Sequence, residues 1–203
     1  MNSLIDDLYN IHEGDTCIIV ANGPSLNAIP NSLLNKFTSF GCNRIWERDG
    51  FYPNYYVAVD RWVPRENEEE FARLESTVLL PEGFEWDAEY YFRHDYHPMW
   101  VMEKNLYHGY LREKGIRWIG VPHAMLQIAF FMGFDRFLCV GLDNTNTGKH
   151  FYEKEPVHRE VDPELWDYGF AILRDCFIPR LILNISEETA VEALPRADWR
   201  NFV

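Results

Sequence analysis

The tetrapeptide Asn22-Gly23-Pro24-Ser25 follows directly on an apolar stretch, which puts hydrogen-bonding groups where an extended strand hands over to a helix. The glycine lets backbone approach a ligand closely. A serine capping the next turn leaves neighbouring N–H groups pointing at an anion, so the turn is a candidate phosphate cradle. It is neither GxGxxG nor GxxxxGK(S/T), and the dinucleotide and P-loop readings lose their support. The same residues also suit a plain tight turn with an N-cap.

Other apolar stretches end in polar groups as well: Cys42-Asn43-Arg44, Asp60-Arg61, Gly120-Val121-Pro122 and Gly141-Leu142-Asp143-Asn144. Asn43 offers donor and acceptor to a base or sugar, and Arg44 or Arg61 can pair a phosphate. Asp60 and Asp143 form a carboxylate pair able to hold Mg²⁺ with substrate phosphates, although Asp143 equally suits a cap for the Asn144 to Gly148 loop. His150, Tyr152 and His158 follow in a polar, turn-rich stretch. Histidine is the usual general base near neutral pH, and a tyrosine hydroxyl can donate to a departing phosphate. His94 and His97 make an HxxH pair without a third ligand in view, short of a zinc site.

These groups need a scaffold that brings strand ends together. Short runs rich in Val, Ile and Cys predict strands buried on both faces at Thr16 to Ala21, Tyr55 to Asp60 and Phe137 to Leu142. Weaker patterns predict strands at Thr38 to Cys42, Thr77 to Leu80, Ile116 to Ile119 and Leu181 to Ile185. Asp162 as N-cap and Pro163 at the first helical position open a helix whose Trp166, Phe170, Leu173 and Phe177 share one face. Pro122 to Met132 is apolar almost all round and stops at Gly133, as a buried crossover helix would. Strands alternating with helices imply a Rossmann-like, doubly wound α/β fold, its sheet mostly parallel and helix-covered on both faces. Open sheets of this kind bind ligands beyond the carboxyl ends of their strands, where the polar residues gather. One domain over residues 1–203 is expected, with 82–109 a lid or insertion. The charges at Glu66 to Glu70 read as the solvated side of a helix.

The 203 residues carry 19 Lys and Arg against 32 Asp and Glu, a formal charge of −13 that excludes an electrostatic nucleic-acid binder. The composition is that of a globular chain. No transmembrane segment or signal peptide is read, and a cytoplasmic location is expected. The four cysteines sit in apolar stretches without metal spacing and are expected to be reduced thiols.

Taken together, IIVANGPSLN, FGCNRIW, YYVAVDR and GVPHAMLQIAFFMGFDRFLCVGLD resemble the bacterial sialyltransferases of glycosyltransferase family 42 and the related 6-hydroxymethylpterin diphosphokinase-like family, over residues 16–200. The resemblance implies that Asn22, Gly23, Pro24, Ser25 and Asn43 bind a cytidine monophosphate donor and that Gly120 and Val121 meet the nucleotide. It implies His158 as the base and Tyr152 as support for the leaving phosphate. Asp60-Arg61 departs from the sialyltransferase pattern, because an acid there repels phosphate unless a cation intervenes. Two chemistries therefore stay open. One is transfer from a nucleotide sugar such as a CMP-sugar, without metal or a tightly bound cofactor; the other is an ATP- and Mg²⁺-dependent diphosphokinase with Asp60 and Asp143 on the metal. A non-catalytic nucleotide- or sugar-phosphate-binding module is the third reading.

Overall fold

The computed structural model describes residues 5–94, 111, 113–145, 149–155 and 162–203. Seven parallel strands form one sheet: β1 (Thr16–Val20), β2 (Thr38–Cys42), β3 (Tyr55–Val57), β4 (Thr77–Pro81), β5 (Tyr90–Phe92), β6 (Arg136–Val140) and β7 (Leu181–Asn184). Their order is β5-β4-β3-β2-β1-β6-β7. The direction of winding therefore reverses between β1 and β6, and in such sheets the crevice beyond that reversal is where ligands bind.

The alternation of side chains along β1 shows how the sheet is sealed. Cys17 and Ile19 join the core beneath α4 (Val121–Phe131) and α5 (Pro163–Phe177). Ile18 and Val20 point the other way, into a second core with Leu26, Leu33, Leu34 and Phe71. Helices on both faces explain why these strands read as continuous apolar runs. Three short helices, α1 (Asn31–Leu34), α2 (Trp62–Glu66) and α3 (Glu68–Ala72), serve the second face. The Glu66 to Glu70 charges are exposed, as expected, but Asn67 splits them between two helices. Among the described residues no helix is long and apolar enough to cross a membrane.

Local chemistry sets the helix ends. Asp162 accepts a hydrogen bond from the Leu165 N–H at 3.0 Å and Pro163 fills the first helical position, so α5 starts where its sequence says. All eleven residues of α4 are buried, and Gly133 at φ +98° ends it.

One strand expectation fails. Ile116 to Ile119 is not a strand, since Ile116 makes only an isolated bridge with His94. Gln127 of α4 takes both backbone groups of Arg117, accepting from its N–H at 3.2 Å and donating to its carbonyl. A side chain has replaced the neighbouring strand. Conversely, Tyr90–Phe92 pairs with β4 as a strand the sequence did not announce, inside the stretch read as a lid or insertion; residues 95–109 of that stretch lie outside the described residues.

Candidate nucleotide site at the β1–β6 switch point

Beyond Val20 the chain hangs from the end of β6. Ala21 N–H donates to Val140 O at 2.9 Å and Gly23 N–H to Gly141 O at 2.8 Å. This proximity, rather than ligand approach, is what requires glycine at 23: a Cβ there would lie 2.4 Å from Asp143 Cγ and 2.6 Å from the Gly141 carbonyl. Ser25 does not cap the turn. Its N–H donates to Asp143 Oδ2 at 2.8 Å and its hydroxyl to Asp143 Oδ1. The protein's own carboxylate thus sits at the turn that was expected to cradle an external anion. Burial pushes the Asp143 carboxyl up, the two Ser25 hydrogen bonds pull it back, and the charge of Glu188 raises it further.

A cleft of about 920 Å³ opens beside this corner. Asn22, Gly23, Asn43, Asp60, Gly120, Val121, Asp143 and Tyr152 all line it, whereas Pro24 and Ser25 do not. His158 lies outside the described residues, as does His97. Asn22 is 5% exposed. Its Nδ2 donates to Cys42 O at 3.1 Å and meets Cys42 Sγ at 3.3 Å, which ties the end of β1 to the end of β2. Its Oδ1 is buried without a partner. Asn43, at φ +51°, has a conformation that asparagine tolerates better than most residues; its carbonyl accepts from Tyr56 Oη at 2.9 Å, and its side chain has no partner among the described residues.

Two further wall residues carry unpartnered buried atoms. Asn144, at φ +46°, donates through Nδ2 to Pro163 O at 3.3 Å and leaves Oδ1 unsatisfied. Arg44 pairs with Glu47 through Nη2 and lies 4.8 Å from the centre of the Tyr152 ring, while its Nε is buried and unpartnered. The site therefore holds two acceptors lacking donors and one cationic donor lacking an acceptor. Buried polar atoms of this kind cost about 1–3 kcal/mol each while they lack partners.

The Tyr152 segment is fastened to the first turn: Phe151 N–H donates to Asn22 O at 2.8 Å, and Asn27 Nδ2 donates to Phe151 O at 3.1 Å. Tyr152 Oη lies 2.6 Å from His150 Nδ1, and the His150 N–H donates to Glu153 Oε2 at 2.7 Å. His150 and Asn144 thus join the site although their sequence signals were only their polarity and position after β6.

On the far wall, Asp60 Oδ1 accepts from Trp62 N–H at 2.9 Å, and Arg61 Nη2 donates to Gly83 O at 2.9 Å. Gly120 is fixed by packing, since a Cβ would sit 2.4 Å from the Trp166 indole. Its N–H donates to His123 Nδ1 at 3.3 Å, so His123 Nε2 carries the proton and donates to Trp166 O at 3.2 Å. Burial pushes the His123 pKa down to about 4, against the opposing pull of these two hydrogen bonds. This neutral histidine is structural and holds Gly120 and Val121, the amino end of α4, against the cleft. The cysteines are free, with Cys17, Cys42 and Cys139 buried and Cys176 partly so; burial pushes the Cys42 thiol up to about 12.

Neither a family model nor a curated protein sequence matches the chain. Solved structures do. The MAf glycosyltransferase of Magnetospirillum magneticum AMB-1 superposes with a TM-score of 0.61 at 14% identity over 98% of this chain. The two share a fold. The chain spans 38% of the length of that enzyme. The sialyltransferase CstII of Campylobacter jejuni, solved with the substrate analogue cytidine-5'-monophosphate, superposes with a TM-score of 0.58 at 16% identity, covering 92% of this chain and 86% of that one. CstII with CMP-3FNeuAc gives 0.51 at 13% identity, over 89% and 84% of the two chains.

Proposed function

We propose that this chain transfers a sugar from a nucleotide-activated donor, a CMP-sugar, whose nucleotide sits in the cleft at the β1–β6 switch point. The observation that carries the reading is the set of unsatisfied atoms. A nucleotide brings hydroxyl and amino donors for Asn22 Oδ1 and Asn144 Oδ1, and a phosphate acceptor for Arg44 Nε. An acceptor oxygen cannot bind phosphate, so Asn22 meets the ribose or base rather than the anionic group. The amino end of the eleven-residue α4 adds its positive dipole to the phosphate side.

In the transfer, the acceptor hydroxyl attacks the anomeric carbon while the bond from that carbon to the phosphate oxygen breaks. The proton passes to a base, for which His158 is the candidate, and the electron pair leaves on CMP. Tyr152 donates its hydroxyl to the departing phosphate, and the Arg44 guanidinium stacked on its ring balances the charge.

The Mg²⁺-dependent alternative fits less well. Both Asp143 oxygens accept from Ser25, one Asp60 oxygen accepts from Trp62, and among the described residues no three His, Cys, Asp or Glu side chains converge on a metal position. The test is to incubate the protein with CMP-, UDP- and GDP-sugars in EDTA, and with ATP and Mg²⁺, and to measure the nucleotide released. CMP released in EDTA is expected. Turnover of ATP alone, with strict Mg²⁺ dependence, would replace this reading with the kinase one.

A further inference from the structure

Between β6 and α5 the cleft wall carries a turn over residues 150–153 in which an imidazole, a phenol and a carboxylate meet. The turn closes on itself: His150 N–H donates to Glu153 Oε2 at 2.7 Å, and Glu153 N–H donates to His150 O at 3.1 Å. Those bonds fix the backbone. They also leave Glu153 Oε1 3.6 Å from His150 Nδ1, the ring nitrogen that Tyr152 Oη approaches at 2.6 Å. The His150 and Glu153 side chains, 25% and 16% exposed, are largely screened from water.

Two oxygens therefore stand beside one nitrogen, and they differ in kind. An ionised carboxylate can only accept a hydrogen bond, whereas a phenol can donate or accept. A bare Nδ1 would turn its lone pair toward the carboxylate and take its hydrogen bond from Tyr152. With the hydrogen on Nδ1, the ring attracts the carboxylate and donates to Oη. The phenol hydrogen is then directed away from the imidazole and is available to the cleft. The cations of the same wall do not oppose this: the Arg44 guanidinium, paired with Glu47, lies 4.8 Å from the Tyr152 ring centre and strengthens the phenol as a donor, and Lys149 donates Nζ to Lys154 O at 2.9 Å.

We infer that Glu153 and His150 are positioning residues: Glu153 holds a proton on His150 Nδ1, and His150 thereby makes Tyr152 a hydrogen-bond donor to the leaving phosphate. The inference rests on reading the cleft as a sugar-transfer site and adds the two residues that set the direction of the Tyr152 hydrogen bond. No proton changes hands along this chain. As the bond from the anomeric carbon to the phosphate oxygen breaks, charge grows on the phosphate, the hydrogen bond from the phenol tightens, and Nδ1–H supports the charge drawn onto Oη.

Long-range proton–nitrogen NMR of the histidine rings, run beside calorimetric titration with CMP and with cytidine, tests it. Near neutral pH the wild-type His150 ring is expected to carry its proton on Nδ1. His150→Ala should weaken CMP about tenfold and leave cytidine, which has no phosphate, unchanged. His150→Asn, whose amide can place a donor near the Nδ1 position, should recover part of the loss. Glu153→Gln can donate to Nδ1 and should move the ring toward the tautomer protonated on Nε2, weakening CMP by a few-fold. A bare Nδ1 in the wild type, or equal losses for CMP and cytidine in His150→Ala, overturns the assignment while the nucleotide reading stands. A wild type that binds neither ligand removes the nucleotide reading and the positioning role with it.

Discussion

The corner where β1 meets β6 and the wall that follows β2 and β3 are built from similar residues, Asn, Ser, Asp and Arg at strand ends, yet they are used differently. At the corner the polar groups satisfy one another: Ser25 is bound to Asp143, and Gly23 is wedged beneath it. Beside that closed set stands an open one whose groups lack partners: Asn22 Oδ1 and Asn144 Oδ1 at the same corner, and Arg44 Nε and the Asn43 side chain after β2. A polar motif at a ligand-binding edge can therefore be scaffold, and the unsatisfied atoms beside it are the better guide to the ligand. Changes at the closed set should act on stability first, and changes at the open set on binding first.

The largest effect is expected from the frame behind both regions. His123 stays neutral in the folded chain down to about pH 4, while an unfolded chain protonates it below the ordinary value of 6.5. The unfolded state then binds the extra proton, so stability present above pH 6.5 is lost as the pH falls toward 4. The gap corresponds to roughly 3 kcal/mol. Urea unfolding between these pH values should show that loss, and His123→Gln should flatten the slope.

Gly23→Ala drives a methyl into Asp143 and the Gly141 carbonyl and is expected to cost about 2–3 kcal/mol, read as a lower urea midpoint. Asp143→Ala strips two donors of Ser25 of their acceptor and should cost about 2 kcal/mol. Asp143→Asn is the informative partner. Because burial raises the Asp143 pKa above 3.8, its contribution is favourable below that value and declines as the pH rises through the folded value. Wild type should therefore lose stability relative to Asp143→Asn as the pH climbs out of the acid range. An unchanged difference would remove the buried carboxylate from the account of the corner.

The open set should respond in the opposite order. Asn22→Ala is expected to weaken CMP about tenfold in calorimetry, with about 1 kcal/mol of stability lost with the Cys42 hydrogen bond. Asn43→Gly keeps the left-handed backbone and removes only the side chain. It should weaken CMP by a few-fold and leave the melting temperature unchanged or slightly raised. A stability loss at Asn43→Gly equal to that at Gly23→Ala would dissolve the distinction between the two regions.

What the sequence made legible follows the range of the interactions involved. The start of α5 was readable because Asp162, Pro163 and Leu165 settle it among themselves, and the end of α4 because Gly133 does so alone. The buried strands were readable because both faces need apolar cover. Ile116 to Ile119 misled because its hydrogen bonds go to the Gln127 side chain, ten residues away, and β5 was missed because its three residues take their cover from the rest of the sheet. At the site, the type of Gly23 was readable but its reason was not: the atom it avoids belongs to Asp143, 120 positions on. Asn22, Asn43 and Tyr152 share the cleft, but the unpartnered atoms of Asn22, Arg44 and Asn144 beside it appear only once β1, β2 and β6 lie side by side.

A crystal structure of the complex with CMP tests the central claim most directly. The ribose or the cytosine amino group is expected within hydrogen-bond distance of Asn22 Oδ1, and a phosphate oxygen on Arg44 Nε. CMP bound elsewhere, or bound in the cleft with Asn22 Oδ1 and Arg44 Nε still unpartnered, would contradict it.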